Sequence, residues 1–350
     1  MKKIFILIAA TLLVALGCSS DYEILKSQEN ISLTADSSVK KMGSTITFKV
    51  TDSNGNDVTE DAAIYVDDVL VEDKSFTSEK AGSYIVKAVY FSIESVPSLI
   101  YFHDGTEINF RKNVLIEDYT GVWCGWCPRV AYGIEKVHSQ TENTVAVALH
   151  GPGKNPSDTG YDPYTYDSSE LEKTLSAQGY PKGFLNRTIQ WEFPEPDKID
   201  QIIALTQGVN PKLGLSMESK VNNGNINLDV NVTFGKNFAN NIKLVVYVLE
   251  NGLIHDQHNY TSYYEGKKLL VDFEHNHVLR ACLTPILGED IAADQTVFSN
   301  TYTKSFNVPV PQSVENASKI EFVAFVIDET GTVINVRKAS QGETQDMQLL

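Results

Sequence analysis

The sequence carries two cysteines at a spacing suited to redox chemistry. Cys124 and Cys127 are separated by two residues in "GVWCGWCPR", in a chain with four cysteines in total. Two thiols at this spacing can close a disulfide, hold a metal or exchange electrons with a second thiol pair. At the first turn of a helix, the positive end of the helix dipole favours a thiolate. We therefore expect Cys124 to be the nucleophile and Cys127 to resolve the mixed disulfide.

The segments around the cysteines predict strands that alternate with helices. "KNVLIEDYT" predicts a strand that ends just before the cysteines, and "RVAYGIEKVHSQ", directly after Pro128, has apolar residues at helical spacing. "NTVAVALHG" predicts a strand, "SSELEKTLSAQG" a second helix and "GFLNRTIQWEF" two short strands. This alternation is typical of a parallel or mixed sheet. Trp123 and Trp126 are expected to flank the sulfurs and to offer an apolar platform to a polypeptide substrate.

Two segments resemble the active site of the thioredoxin superfamily. The first, "EDYTGVWCGWCPR", contains the W-C-G-x-C pattern, and the second, "GYPKGFLNR", resembles the family's proline loop. The resemblance implies that Asp118 is a buried acid that helps to move the proton of the resolving thiol, with Glu117 as the competitor for this role. It also implies that Pro181 follows a cis peptide bond and that Tyr180 offers backbone hydrogen bonds to the substrate.

The cysteine pair has two alternative interpretations. A structural zinc site usually needs a second Cys or Cys/His pair at matching spacing, and no such pair accompanies Cys124 and Cys127. A purely structural disulfide is the stronger alternative, because an oxidising compartment keeps such a pair closed. Within the redox interpretation, the intervening dipeptide leaves reductant, oxidant and isomerase open.

The N-terminus predicts export and a lipid anchor. "MKKIFILIAATLLVALGC" has two lysines, a short apolar run and small residues before Cys18, the layout of a signal peptide. Its end resembles a bacterial lipoprotein box, which implies cleavage after residue 17 and lipidation of Cys18, with an ordinary cleaved signal as the alternative. The formal net charge is −16, and loss of Lys2 and Lys3 makes it more negative. This charge argues against nucleic acid as a partner.

The sequence as a whole resembles the outer membrane protein 28-related lipoproteins of Bacteroidetes. It rests on the lipoprotein start, on "EDYTG" leading into C-x-x-C-P, on the proline loop and on a β-rich C-terminal part with "HNHVLRA". The resemblance implies an outer-membrane lipoprotein of the bacterial cell envelope, either periplasmic or surface-exposed.

The strand patterns predict three domains after the signal peptide, which spans residues 1–17. Residues 18–105 hold the anchor and a β domain that resembles small bacterial immunoglobulin-like modules, and residues 209–350 form an antiparallel β-sandwich. Residues 106–208 form an α/β domain, which the resemblance described above implies is thioredoxin-like. The predicted fold class is therefore multidomain α+β.

Other residues of chemical interest have simpler explanations. Four of the seven histidines lie in the last region, where hydrogen bonding is favoured over a metal site: His255, His258, His275 and His277. His150 is expected to be satisfied or exposed rather than catalytic, and Cys282 to be a buried, inert thiol. The loop 151–170 is expected to be solvated, with a lid or a calcium site through Asp158, Asp162 and Asp167 as alternatives.

The combined prediction is thiol-disulfide exchange on an exported protein or peptide, without a cofactor or bound metal. The redox partner that would recycle the pair is not identified by the sequence. One alternative is a surface or outer-membrane binding protein in which the cysteine pair is a structural disulfide. Another is a subunit of a larger outer-membrane assembly.

Overall fold

The computed structural model describes residues 30–153, 161–176, 179–238 and 241–350. The structure is mostly β, with 46% strand and 12% helix. The predicted signal peptide, the predicted lipidation site Cys18 and Asp158 of the predicted calcium loop lie outside the described residues. No helix within these ranges is long and apolar enough to cross a membrane.

Nine strands form the N-terminal part. They are β1 (Ile31–Ala35), β2 (Val39–Lys41), β3 (Thr45–Asp52), β4 (Ala63–Val66), β5 (Val69–Val71), β6 (Ser75–Thr77), β7 (Gly82–Tyr90), β8 (Ile93–Glu94) and β9 (Ser98–His103). One sheet has the order β1-β3-β6, and the other has the order β2-β9-β7-β4-β5 with β8 beside β7. Apolar residues alternate along β3, so Ile46, Phe48 and Val50 reach the core between the sheets.

The middle part supplies four strands and three helices. In chain order these are β10 (Val114–Thr120), α1 (Pro128–His138), β11 (Thr144–His150), α2 (Ser169–Leu175), β12 (Lys182–Leu185), β13 (Ile189–Gln190) and α3 (Ile199–Thr206). Strand β10 pairs parallel with β11 and antiparallel with β12. Every residue of β10 is buried, which explains its nearly continuous apolar sequence.

Ten strands follow in the C-terminal part. They are β14 (Leu213–Asn222), β15 (Asn225–Phe234), β16 (Ile242–Glu250), β17 (Leu253–His258), β18 (Leu269–His275), β19 (Val278–Cys282), β20 (Glu289–Ile291), β21 (Thr301–Pro309), β22 (Ile320–Ile327) and β23 (Val333–Ser340). Strands β14, β15 and β21 form a separate sheet, and β17 pairs with β18 in a two-stranded hairpin.

The predicted fold class is wrong, because the middle part is not a separate α/β domain. A sheet of nine described strands has the order β13-β12-β10-β11-β19-β16-β22-β23, with β20 beside β16, so it joins middle and C-terminal strands. The junction is a parallel bridge between Ala148 and Val278, supported by a 2.8 Å hydrogen bond from the Ala148 N–H to the His277 carbonyl oxygen. The protein is predominantly β. The predicted boundaries at 105/106 and 208/209 stay predictions.

The long sheet is covered on both faces. On one face, α1 and α3 pack over β10, while the sheet of β14, β15 and β21 packs over β16 and β22. On the other face, Leu171 of α2 packs with side chains such as Tyr119 and Tyr247. Neighbouring residues of β10 therefore reach different environments, and this separates Glu117 from Asp118.

Candidate functional site

Cys124 and Cys127 form a disulfide at the turn between β10 and α1. The sulfurs are 2.00 Å apart, and the residues are 5% and 1% exposed. The turn is built by hydrogen bonds from the Cys124 N–H to the Gly121 carbonyl oxygen and from the Cys127 N–H to the Cys124 carbonyl oxygen. Cys127 is the N-cap residue of α1, and Pro128 begins the helix, a position that proline favours. The predicted strand-to-helix turn is present.

A segment from the β17–β18 hairpin lies on the outer side of this turn. We call residues 257 to 260 the cover segment. The Tyr260 N–H donates to the Gly125 carbonyl oxygen at 2.6 Å, and the Gln257 side-chain amide donates to the Cys124 carbonyl oxygen at 3.1 Å. A Cβ atom at Gly125 would lie 2.4 Å from the Tyr260 ring, so only glycine fits beneath this ring. From the Gly125 side, a bulky thiol therefore reaches the sulfurs only if the cover segment moves.

Aromatic side chains are exposed around the cover segment. We call Trp126, Arg129, Phe193 and Tyr260 the aromatic surface. The rings of Trp126 and Tyr260 are 5.9 Å apart, centroid to centroid, and are 52% and 60% exposed. The Arg129 guanidinium lies 4.6 Å from the centroid of the exposed Phe193 ring and pairs with Glu195. Stacked arginine and aromatic residues are common in protein-binding surfaces.

Asp118 lies beneath the disulfide. Asp118 and Cys127 line the same cavity, and the carboxylate is 3% exposed. Its Oδ1 atom has no hydrogen-bond partner among the described residues. Burial raises the pKa of Asp118 well above its usual value, the negative charge of Glu195 raises it further, and Arg129 opposes the rise. The predicted catalytic role of Asp118 stays a prediction.

Glu117, the competitor for that role, faces the opposite side of the sheet. Its Oε1 atom accepts a 3.3 Å hydrogen bond from Arg187 Nε, and the hydroxyl of Tyr247 lies 3.5 Å away. Burial raises the pKa of Glu117, and the nearby Arg187 opposes the rise. Glu117 belongs to a buried polar cluster remote from the cysteines.

The predicted proline loop lies beside the turn. The Tyr180–Pro181 peptide bond is cis, as the proline-loop resemblance implies, and the Phe193–Pro194 bond is also cis. The Tyr180 ring packs against Trp123 with 5.5 Å between centroids, and its hydroxyl donates to Glu172 at 2.9 Å. Unlike Trp126, Trp123 is turned inward, and its indole N–H has no partner among the described residues. The substrate-binding roles of Trp123, Trp126, Tyr180 and Pro181 stay predictions.

A buried pair between Asp162 and His150 supports the turn, and the sequence patterns did not predict it. Asp162 Oδ2 lies 2.8 Å from His150 Nδ1 and accepts a 2.9 Å hydrogen bond from the Val122 N–H, while Oδ1 accepts from the Tyr164 N–H. Burial acts to raise the pKa of Asp162, but the His150 and backbone hydrogen bonds lower it overall. Both carboxylate oxygens are thus engaged within the fold, and the calcium site that was one alternative for this loop stays a hypothesis. The signal in the sequence was His150 at the end of a strand, followed by an acidic loop.

The histidines are held mainly by hydrogen bonds. His277 Nδ1 lies 2.9 Å from Glu321 Oε2, and His275 Nε2 lies 3.3 Å from the His255 carbonyl oxygen. Within the described ranges, no group of three or more His, Cys, Asp or Glu residues is arranged to hold a metal ion. Cys282 is half-buried, and burial raises the pKa of its thiol to about 11, which disfavours the reactive thiolate.

The fold and the site define a mostly β protein with a buried disulfide that its own chain covers. Residues 168–345 match the family model described as Outer membrane protein Omp28. Because this match covers half of the 350 residues, the chain belongs to the Omp28 outer membrane protein family. The predicted location in the bacterial cell envelope at the outer membrane is thereby confirmed. The match begins after Cys127, so the disulfide lies outside it.

The chain is similar to solved structures at low sequence identity, so the similarity bears on the fold and not on the function. HBP35 of Porphyromonas gingivalis aligns with a TM-score of 0.51 and 17% identity over 69% of this chain and 78% of that chain. The adhesin InvE of Yersinia pseudotuberculosis aligns with a TM-score of 0.16 and 10% identity over 90% of this chain and 59% of that chain, which carries no argument about the fold. No curated protein matches the sequence.

Proposed function

We propose that the protein is a surface-exposed binding protein of the outer membrane in which the Cys124–Cys127 bond is a structural clasp. The observation that carries this proposal is the cover segment. The Tyr260 N–H and the Gln257 amide bind backbone carbonyls of the disulfide turn, and the Tyr260 ring closes the space above Gly125. An exchange enzyme must admit a partner protein's thiol to its disulfide, whereas here the chain's own cover segment lies over the Gly125 side of the turn.

The aromatic surface is the proposed contact for an exported protein or peptide. Trp, Tyr and Arg are enriched among the residues that dominate the binding energy of protein interfaces, and Trp and Tyr offer large contact areas at low conformational cost. Trp126 and Tyr260 lie side by side, and the Arg129 N–H donates a 3.3 Å hydrogen bond to the Trp126 carbonyl oxygen. In this proposal the disulfide fixes the turn that presents Trp126.

Thiol-disulfide exchange in a thioredoxin-like site is the second candidate. The observation that favours it is Asp118, whose buried Oδ1 lacks a partner in a cavity shared with Cys127. A protonated carboxyl at this position would hand a proton to the thiolate that leaves when the disulfide opens. This candidate requires the cover segment to move away from Gly125.

The reduction potential of the disulfide separates the two candidates. Full-length protein is equilibrated in graded glutathione buffers, its thiols are trapped, and a Cys127→Ala variant is used to catch mixed disulfides. The clasp predicts a potential below about −300 mV and no trapped partner. A potential between roughly −120 and −270 mV, with exported proteins trapped on Cys124, would replace the clasp by the exchange candidate.

Attachment to the membrane through a lipid on Cys18 is part of the proposal. Mass spectrometry of the protein extracted from membranes tests it, because an acylated N-terminal cysteine adds the mass of its acyl chains. The matched control is Cys18→Ser, which is expected to abolish the added mass and to release the protein from the membrane fraction. An N-terminus without acyl chains in the wild-type protein would contradict the lipid anchor.

A further inference from the structure

A cavity runs from the surface to the inner side of the disulfide turn. It lies between α1 and the β17–β18 hairpin and has a volume of about 260 Å³. Its inner end is lined by buried residues, including Asp118, Cys127 and His275, and its mouth by the exposed Glu135 and Glu274. A water molecule occupies about 30 Å³ in the liquid, so the cavity has room for a small organic molecule.

The cavity wall is acidic and partly apolar. Asp118, Glu135 and Glu274 line it, and no lysine or arginine is among the described lining residues. The pKa of His275 falls to about 3, mainly through burial, so this imidazole is neutral at neutral pH. Ala131 and Phe273 supply apolar contacts between the two ends. The wall therefore suits a ligand with a short apolar body and positive charge.

Carboxyl groups lie at both ends of the cavity. At the inner end, Asp118 is 3% exposed, and its Oδ1 atom lacks a hydrogen-bond partner among the described residues. At the mouth, Glu135 Oε1 accepts a 2.8 Å hydrogen bond from the Tyr264 hydroxyl, and Glu274 Oε1 accepts a 3.0 Å hydrogen bond from the Asn276 amide. A buried polar atom without a partner is costly unless something satisfies it.

We propose that this cavity binds a short aliphatic diamine. One ammonium group donates hydrogen bonds to Asp118 at the inner end, the methylene chain lies against Ala131 and Phe273, and the second ammonium group lies between Glu135 and Glu274 at the mouth. Charge-assisted hydrogen bonds of this kind are stronger than neutral ones. The site is independent of whether the disulfide is a clasp or an exchange centre.

Binding is expected to release a proton. Burial and Glu195 favour the protonated form of Asp118, Arg129 favours the ionised form, and an ammonium group beside it adds to the effect of Arg129. The other titratable groups that line the cavity are Glu135, His138, His150, Glu274, His275 and His277. Among these described lining groups, only Asp118 combines near-complete burial with an oxygen that lacks a hydrogen-bond partner, so the released proton is assigned to it.

The test is isothermal titration calorimetry of the full-length protein with 1,4-diaminobutane, 1-aminobutane and 1,4-butanediol. Each titration is run in two buffers of different ionisation enthalpy. The diamine is expected to bind at least about tenfold more tightly than the monoamine, because it meets carboxylates at both ends, and the diol is expected to give no binding heat. The buffer takes up the released proton. The heat of diamine binding is therefore expected to differ between the two buffers by the difference in their ionisation enthalpies for one proton.

Two variants locate the site. Asp118→Asn is expected to lower the affinity for the diamine at least about tenfold and to abolish proton release. Glu274→Gln is expected to lower the affinity for the diamine to that for the monoamine. The matched control is Glu117→Gln, which changes the neighbouring acid on the opposite face and is expected to leave affinity unchanged. If Asp118→Asn does not fold, Ala131→Leu fills the cavity instead and is expected to block binding.

Three outcomes would overturn the proposal. The first is equal affinity for the diamine and the diol, or no binding of either. The second is diamine binding that persists in Asp118→Asn and in Ala131→Leu. The third is a site that takes Zn²⁺ but no amine. The titration is repeated after reduction of the disulfide, and diamine binding is expected to persist. This result tests the cavity site independently of the proposed role of the disulfide.

Discussion

The backbone N–H of Tyr260 donates a 2.6 Å hydrogen bond to the carbonyl oxygen of Gly125, between the two cysteines of the disulfide. The contact joins the loop after β17 to the turn before α1. On the Gly125 side, access to the disulfide is therefore limited by a segment far away in sequence. Substitutions in the cover segment, outside the turn itself, are therefore expected to change how deeply the two sulfurs are buried.

Tyr260→Ala is expected to speed reduction of the disulfide by glutathione. The substitution removes the ring above Gly125 and leaves the backbone hydrogen bond available. We expect a rate increase on the order of tenfold, which corresponds to about 1.4 kcal/mol. Thiol trapping over time measures it. Phe91→Ala, which removes an exposed ring in the N-terminal part, is the control, and an unchanged rate in Tyr260→Ala would show that the ring does not shield the sulfurs.

Gly125→Ala is expected to destabilise the protein by about 1–3 kcal/mol, because its methyl group would overlap the Tyr260 ring. Chemical denaturation gives the free energy of unfolding. The same substitution in a Tyr260→Ala background is expected to cost much less, since the ring is gone. An equal loss of unfolding free energy in the two backgrounds would mean that Gly125→Ala does not destabilise the protein through overlap with the Tyr260 ring.

Removal of the disulfide is expected to lower stability modestly. Cys124→Ala with Cys127→Ala opens a very short loop, for which chain entropy gives about 2 kcal/mol. Denaturation of the double variant, compared with the wild type under oxidising and reducing conditions, measures this. The reduced wild type is expected to match the double variant. A loss that appears only in the double variant would mean that packing of the sulfurs, rather than the bond between them, stabilises the turn.

Glu321 is expected to make stability depend on pH in the acid range. Burial raises its pKa, the His277 hydrogen bond lowers it, and the balance lies at about 2, below the ordinary 4.5. Because the folded pKa is the lower one, the stabilisation is complete above about pH 4.5 and is lost as the pH falls toward about 2. It amounts to about 3 kcal/mol at neutral pH.

Glu321→Gln tests this stabilisation. Urea unfolding at pH 7 and pH 3 is expected to show a clear difference from the wild type at pH 7 and a smaller one at pH 3. Exposed Glu60→Gln is the control and is expected to cost little at either pH. A constant difference at both values would mean that lost packing, not lost charge, sets the cost.

The sequence was sufficient for features encoded in short segments. The turn before α1 follows from an apolar run, a C-x-x-C pair and a proline at the first helical position, all within a few residues of one another. The expected burial of Cys282 among apolar neighbours is similarly local, although its thiol is only half-buried. Such signals depend on hydrophobic period and backbone preference, which a single segment contains.

Features that depend on distant pairing could not be predicted. The run that forms β19 is apolar enough for either of two sheets, and only the tertiary fold places Val278 beside Ala148. The same holds for Tyr260 over Gly125, because nothing in "HNYTS" indicates its partner. The Asp162–His150 pair was missed because the intervening loop gives no periodic signal. Each of these contacts decides a property of the candidate site.

The parallel bridge between β11 and β19 makes the order of synthesis matter. A chain is made from its N-terminus, so residues 144–150 are complete well before residues 278–282 exist. Until then, the β19-facing side of β11 is an open sheet edge, which invites pairing with other chains. The first half of the protein therefore stays vulnerable to aggregation until the second half arrives, and a holding chaperone that shields this edge is expected to raise the yield of folded protein.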